Sequence, residues 1–176
     1  MLSHNQALLV PIHTTPGQEI LEFAEDEVNI LRKVCPSLQL RPVTPPPRKS
    51  DIIKALSECK IFHFAGHGKS KPIEPSQSIL MLQDWQSNPL TVEDLREHKL
   101  QENRSFLGYL LASSTGPNTT GKLADEAIHR VGTLQLAGFR HVVGTLWKVS
   151  DKHCADVARI LYETLQAEGM TDIAVC

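Results

Sequence analysis

The sequence has few aromatic residues and no long apolar run, and each shortage excludes a class of protein. Phe, Trp and Tyr make up 5% of the 176 residues, too few for a surface that binds nucleic acid by stacking on bases. No apolar run approaches the roughly 18 residues that a membrane-spanning helix needs. Residues 1–12 lack the basic start and the cleavage site of a secretory signal. We therefore expect a cytoplasmic protein that binds neither membrane nor nucleic acid.

Charge of one sign and paired cysteines are also lacking. Lys and Arg number 18 against 20 Asp and Glu, a formal net charge of −2, so no bulk basic charge is available for a polyanion. The four cysteines stand at 35, 59, 154 and 176 and form no C-x-x-C pair, which argues against zinc and thioredoxin-type sites. We expect reduced, mostly buried thiols, no metal and no cofactor.

Short apolar runs alternate with segments of helical periodicity. The runs predict buried strands at 7–12, 61–65, 79–82, 106–111 and 141–147. Helices are predicted to begin at Thr15, Ser50, Thr91 and Ser150, each a residue type that caps helices, and over 124–134. Unbroken apolar strands that alternate with helices predict a mainly parallel sheet with helices on both faces. The length fits a single domain, and the apolar ending 173–176 leads us to expect a truncated C-terminus.

Two segments at predicted strand ends carry side chains suited to catalysis. His67 stands between Gly66 and Gly68, and the other segment is 113–116, Ser-Ser-Thr-Gly. Sites in open parallel sheets gather beyond the carboxyl ends of the strands. If the two strands are neighbours, His67 and Ser113 face each other as base and nucleophile. The glycines let a substrate approach the backbone, whose amides can stabilise an oxyanion. On spacing alone, a structural histidine and a phosphate-binding turn at 113–116 stay open.

Three sequence blocks occur in order along the chain. They are HFAGHG at 63–68, LLASSTG at 110–116 and AGFRHVVGTLWKVSD at 137–151. Together they resemble the CHAT domains, a family of caspase-like cysteine peptidases in the caspase–separase–gingipain clan. The resemblance implies a caspase-like three-layer sandwich around a mainly parallel sheet, and a protein or peptide substrate. It also implies a role in regulated cell death, with a sensor such as tetratricopeptide repeats in the parent chain or in a partner.

The resemblance assigns roles to four residues. The general base of CHAT domains is the histidine of the Gly-His-Gly turn, which falls on His67, and Gly68 then belongs to the substrate-binding turn. The family's nucleophile is a cysteine, and its position falls on Ser113. In separase-like members an acidic residue in a Leu-Trp-x-Val-x-Asp block helps receive a basic P1 side chain, and that position falls on Asp151. A helix-capping role for Asp151 is the alternative, and both roles can hold together.

Serine at position 113 departs from the family pattern. A thiol, with a pKa of ~8.5, forms a thiolate readily beside an imidazole, whereas a serine hydroxyl needs a fully tuned base and orienting group. We therefore expect the Ser113 chain to be inactive or very slow as a peptidase. Two origins stay open: an introduced replacement of cysteine, and a natural pseudo-peptidase that binds peptide or acts as a scaffold.

Other reactive side chains near these blocks are predicted to be structural. His63 lies within an apolar strand and is expected to be packed or to support the site. Cys154 falls on the inward face of the last predicted helix and is expected in the core. Asp125 and Glu126 are expected at a solvated helix start.

Overall fold

A five-stranded parallel sheet forms the centre of the protein. The computed structural model describes residues 5–69, 71, 73–98, 105–110, 113–114, 132, 135, 137–144 and 149–176. The strands are β1 Gln6–Pro11, β2 Arg41–Val43, β3 Cys59–Ala65, β4 His67–Lys69, β5 Ile79–Leu80, β6 Leu90–Thr91, β7 Leu107–Leu110, β8 Ser113–Ser114 and β9 His141–Gly144. The central sheet has the order β2-β1-β3-β7-β9, and each neighbouring pair in it is parallel.

A smaller sheet extends two strands of the central one. Its order is β6-β5-β4-β8, with β4 and β8 parallel and the other pairs antiparallel. β4 follows β3 after the single residue Gly66, and β8 follows β7 after two residues. The small sheet therefore lies beyond the carboxyl ends of β3 and β7, where sites gather in parallel α/β proteins.

Helices cover both faces of the central sheet. They are α1 Ala24–Val34, α2 Lys49–Leu56, α3 Val92–Glu97, α4 Asp151–Glu168 and α5 Asp172–Val175, with a 3-10 turn at Pro75–Gln77. Ala7 and Leu9 of β1 pack in one apolar cluster with α1 and α4. Leu8 and Val10 pack in a second cluster with α2. Burial on both faces explains why the strand is apolar throughout, and the predicted three-layer, mainly parallel α/β fold is confirmed.

The start of α1 differs from the prediction. The helix begins at Ala24, whereas Thr15 and Gln18 close a turn in which the Gln18 N–H donates to the Thr15 carbonyl over 3.0 Å. Gly17 in this turn has φ +77°, a left-handed conformation that interrupts any right-handed helix. The sequence pattern typical of a helix N-terminus therefore marks a loop, residues 12–23, which we call the β1–α1 loop.

Of the other predicted helix starts, two are confirmed and one lies inside its helix. Thr91 caps α3 and Ser150 caps α4, each accepting from a backbone N–H of the first turn. Ser50 lies inside α2, which begins one residue earlier, and Asp84 accepts from the Lys49 N–H in its place. The helix predicted over 124–134 lies outside the described residues, apart from position 132, which is helical.

Candidate active site

The backbones of His67 and Ser113 lie side by side. β4 and β8 are parallel neighbours, and their register pairs His67 with Ser113 and Gly68 with Ser114. Adjacent strands lie ~4.8 Å apart, so the two residues are adjacent although 46 positions separate them in the sequence. The structure describes the backbone of Ser113 and Ser114, and the predicted distance from the Ser113 hydroxyl to the imidazole stays a prediction.

Gly66 makes the step from β3 to β4 possible. A Cβ at this position would lie 2.6 Å from Cζ of Phe64, far inside van der Waals contact. Phe64 is fully buried, so its ring cannot move aside without opening the core. A side chain at Gly66 would therefore displace the Phe64 ring, directly before His67.

The His67 ring is held by a backbone carbonyl. The side chain is 2% exposed, and its Nε2 lies 2.7 Å from the carbonyl oxygen of Glu19 in the β1–α1 loop. A carbonyl oxygen only accepts, so Nε2 carries a proton and donates it to this bond. In the neutral ring Nδ1 then holds the lone pair, which is the site able to take a proton from a nucleophile.

The β1–α1 loop is tied to itself at its base. The Leu21 N–H donates to the His13 carbonyl over 3.0 Å, and His13 Nδ1–H donates to the Leu21 carbonyl over 2.9 Å. Leu21 is buried in the cluster under α1, whereas Ile20 is 60% exposed. Hydrogen bonds rather than burial therefore hold much of the segment that bears the Glu19 carbonyl.

Asp151 contacts the same loop. It is the first residue of α4, and its Oδ2 accepts a hydrogen bond of 2.7 Å from the backbone N–H of Phe23. The side chain is half-buried. A carboxylate near the N-terminus of α1 is favoured by the helix dipole, so Asp151 does cap a helix, although one that starts 128 positions away. Its predicted contact with a basic P1 side chain stays a prediction.

Gly68 lies between two strands instead of in an open turn. It is buried in β4 and pairs with Leu80 on one side and with Ser114 on the other. Of the remaining predicted positions, Asp125 and Glu126 lie outside the described residues.

A buried polar cluster that sequence analysis missed lies beneath β3. His63 Nε2 lies 2.7 Å from Glu27 Oε1, and its Nδ1 forms a short hydrogen bond with the Tyr162 hydroxyl. Tyr109 stacks on the His63 ring with centroids 4.3 Å apart. His63 is thus a packed histidine, as predicted. The sequence did contain one indication of the partner of His63, because Glu27 stands on the apolar face of α1, between Ala24 and Val28.

None of the four cysteines is in a disulfide, and three of them are buried. Cys35, Cys59 and Cys154 lie in the core, and Cys176 is exposed, as predicted for reduced thiols. Burial raises the pKa of Cys35 to about 11 and the pKa of Cys59 and of Cys154 to about 12. None of the three therefore supplies a thiolate at neutral pH.

The part of the chain that the structure describes holds no group of three or more His, Cys, Asp and Glu residues placed to bind a metal ion. No helix among the same residues is long and apolar enough to cross a membrane.

The fold defines a class of protein. A three-layer sandwich around a mainly parallel five-stranded sheet is consistent with a caspase-like α/β fold. A family model described as the CHAT domain matches residues 3–175, nearly the whole chain. The chain therefore belongs to the CHAT-domain family. Comparison with curated proteins and with solved structures finds no significant match.

Proposed function

We propose that this chain is a caspase-like peptidase domain in which His67 is the general base and position 113 is the nucleophile position. The observation that carries the proposal is the register of β4 and β8, which pairs His67 with Ser113. The hydrogen bond from His67 Nε2 to the Glu19 carbonyl supports it, because that bond selects the ring form with the lone pair on Nδ1.

With cysteine at position 113, the chemistry follows from this tautomer. Nδ1 takes the thiol proton, and the thiolate attacks the scissile carbonyl to form a tetrahedral adduct. The imidazolium gives its proton to the leaving amine as the C–N bond breaks, which leaves the acyl-enzyme. Nδ1 then takes a proton from the water that attacks the acyl carbon, and this proton returns to the sulfur as the acid product leaves. Gly68 lies next to His67, and its backbone edges are already paired with Leu80 and Ser114. A role for Gly68 in substrate binding would therefore come from the face of β4, where it places no side chain. A protein or peptide is the substrate class that this chemistry requires.

With serine at position 113, we propose that cleavage is too slow to measure. The hydroxyl pKa lies far above the ~8.5 of a thiol, and a single histidine held by a backbone carbonyl does not lower it enough for attack. Serine at this position also favours the second candidate function, a pseudo-peptidase that binds peptide or acts as a scaffold. In either case, a sensor module such as tetratricopeptide repeats, in the parent chain or in a partner, would control a cytoplasmic effector of regulated cell death.

Restoring the thiol tests the proposal. The variant is Ser113→Cys in the full natural chain, assayed with a panel of peptides that vary at P1. The matched control is Ser114→Cys, which places a thiol one residue away, opposite Gly68. We expect thiol-dependent cleavage by Ser113→Cys alone, and its loss when His67→Ala is added.

Two outcomes contradict this assignment. Robust cleavage by the Ser113 chain, abolished by Ser113→Ala, would show that serine is a competent nucleophile here. A folded Ser113→Cys chain that binds the peptides without cutting them would favour the pseudo-peptidase.

A further inference from the structure

Two hydrogen bonds join the β1–α1 loop to distant parts of the chain. His67 Nε2 donates to the carbonyl of Glu19, and the N–H of Phe23 donates to Asp151. Both bonds are 2.7 Å long, and only three residues separate the two points on the loop. The two bonds therefore hold the two ends of one segment, residues 19–23.

Asp151 serves this loop instead of its own helix. The N-cap of α4 is Ser150, whose hydroxyl accepts from the His153 N–H. The N-cap of α1 is Phe23, which has no side-chain cap to offer. The first turn of α1 carries acidic side chains but has no side-chain cap of its own. The Asp151 carboxylate thus supplies from α4 an acceptor for a backbone N–H at the start of α1.

The segment between the two bonds is weakly held by packing. Ile20 is 60% exposed and Glu22 is exposed, so the main apolar contact there comes from Leu21. The His13–Leu21 bonds fix the middle of the segment, and Asp151 fixes its end. Without Asp151, the Leu21 bonds alone hold the segment on the C-terminal side of the Glu19 carbonyl.

We propose that Asp151 is a positioning residue for His67, which acts through Phe23 and the Glu19 carbonyl. The proposal rests on the proposed function, because it takes His67 as the base. The charge of Asp151 is secondary in this role. What matters is an acceptor oxygen in the right place, which holds the loop so that His67 keeps its proton on Nε2 and its lone pair on Nδ1.

The ring proton of His67 gives a direct test that does not require catalysis. In the full chain labelled with ¹⁵N-histidine, and assigned with His67→Gln, the Nε2–H resonance should exchange slowly with water. We expect Asp151→Ala to accelerate this exchange by about tenfold or more, because losing the anchor frees the carbonyl that protects the proton. Asp151→Asn should restore slow exchange, because an amide oxygen still accepts from the Phe23 N–H.

Kinetics in the Ser113→Cys background supply the second measurement. Small misplacements of a catalytic group cost up to about a hundredfold in rate, so Asp151→Ala should lower kcat by about tenfold to a hundredfold with little change in KM. Asp151→Asn should retain most of the activity.

The matched control is Ser150→Ala, which weakens the cap of α4 without touching the loop and should leave both the exchange and kcat unchanged. If Asp151→Ala does not fold, Asp151→Glu, which displaces the acceptor, takes its place.

The alternative role of Asp151 gives the opposite pattern. If its carboxylate serves only to receive a basic P1 side chain, Asp151→Asn removes the preference for Arg, and Asp151→Ala leaves the Nε2–H exchange as slow as in the wild type, which would overturn the positioning role. An equal effect of Ser150→Ala would overturn it too. If Ser113→Cys cuts no peptide, the proposed peptidase function fails, while the exchange measurement still decides whether Asp151 positions His67.

Discussion

The imidazole of His63 and the carboxyl group of Glu27 lie 2.7 Å apart in a place that solvent does not reach, with side-chain exposures of 0% and 2%. The pair joins β3 to α1, and the Tyr162 hydroxyl on the other ring nitrogen adds α4. Three elements that frame the candidate site therefore meet at one buried histidine, four residues before His67.

Removing one partner of this pair should destabilise the protein severely. Glu27→Ala leaves His63 Nε2 buried without a partner, and breaking a buried pair costs ~3–5 kcal/mol. Glu27→Gln keeps a hydrogen-bonding group of the same size and should cost much less. Urea unfolding at neutral pH measures both. Equal losses for the two variants would show that the hydrogen bond contributes little.

The same carboxyl group should give stability a pH dependence. Burial raises the pKa of Glu27 above its ordinary value of 4.5, the hydrogen bond and charge of His63 oppose the rise, and Asp151 adds to it. The folded protein therefore holds this proton more tightly than the unfolded chain does. Its contribution to the free energy of unfolding is complete below pH 4.5 and is lost as the pH rises through the folded pKa. Subtracting the Glu27→Gln profile from the wild-type profile, by urea unfolding at pH 4 to 7, should show this decline; a flat difference would contradict it.

Alkylation should distinguish the cysteines sharply. With iodoacetamide at pH 8 we expect Cys176 to react while Cys35, Cys59 and Cys154 stay unmodified until the protein unfolds. The three are buried, and their pKa values of about 11, 12 and 12 suppress the reactive thiolate. Peptide mapping by mass spectrometry, with a urea-unfolded sample as the control, checks this. Modification of a buried cysteine as fast as Cys176 would show that the core opens locally.

A methyl group at Gly66 should disturb both the core and the site. Its Cβ would meet the Phe64 ring at 2.6 Å, and such overpacking costs ~1–3 kcal/mol. Gly108→Ala is the matched control, because its Cβ would lie 3.3 Å from Phe139 and should be tolerated better.

Adding Phe64→Leu to Gly66→Ala should cost less than the sum of the two single changes. Thermal unfolding of the four variants measures this, and strict additivity would mean that the ring is not what Gly66 accommodates.

Asp94 should stabilise the small sheet and α3 in a pH-dependent way. Its Oδ2 accepts from the Thr91 N–H and pairs with Lys49 Nζ at 2.9 Å. Desolvation raises the pKa of Asp94, but the hydrogen bonds from Thr91 and Lys49 outweigh it and hold the pKa below the ordinary value of 3.8. We expect Asp94→Ala to cost ~1–2 kcal/mol at neutral pH, the order of a lost hydrogen bond to a charged group. The stabilisation is present above pH 3.8 and is lost as the pH falls through the folded pKa, so the variant and the wild type should converge in acid. Arg96→Ala, on the exposed side of α3, is the control.

Local sequence patterns alone determined much of the secondary structure of this protein. Apolar runs buried on both faces predicted the parallel strands, because a strand between two helical layers has no polar side. The hydroxyls of Thr91 and Ser150 marked two helix starts, since a cap acts within three residues of itself. The Gly-His-Gly segment after a buried strand predicted that His67 lies just beyond the carboxyl end of that strand.

Only the tertiary structure decided how that histidine is held. Its acceptor is a backbone carbonyl 48 positions away, and the carboxylate of Asp151 reaches a backbone N–H 128 positions away. Every residue carries the same backbone groups, so no side-chain pattern predicts which backbone carbonyl or N–H will form a given long-range hydrogen bond. The Thr15 pattern failed for a related reason. Its local preference for a helix start gives way to the left-handed Gly17 turn and to the two long-range hydrogen bonds that hold the β1–α1 loop against His67 and α4.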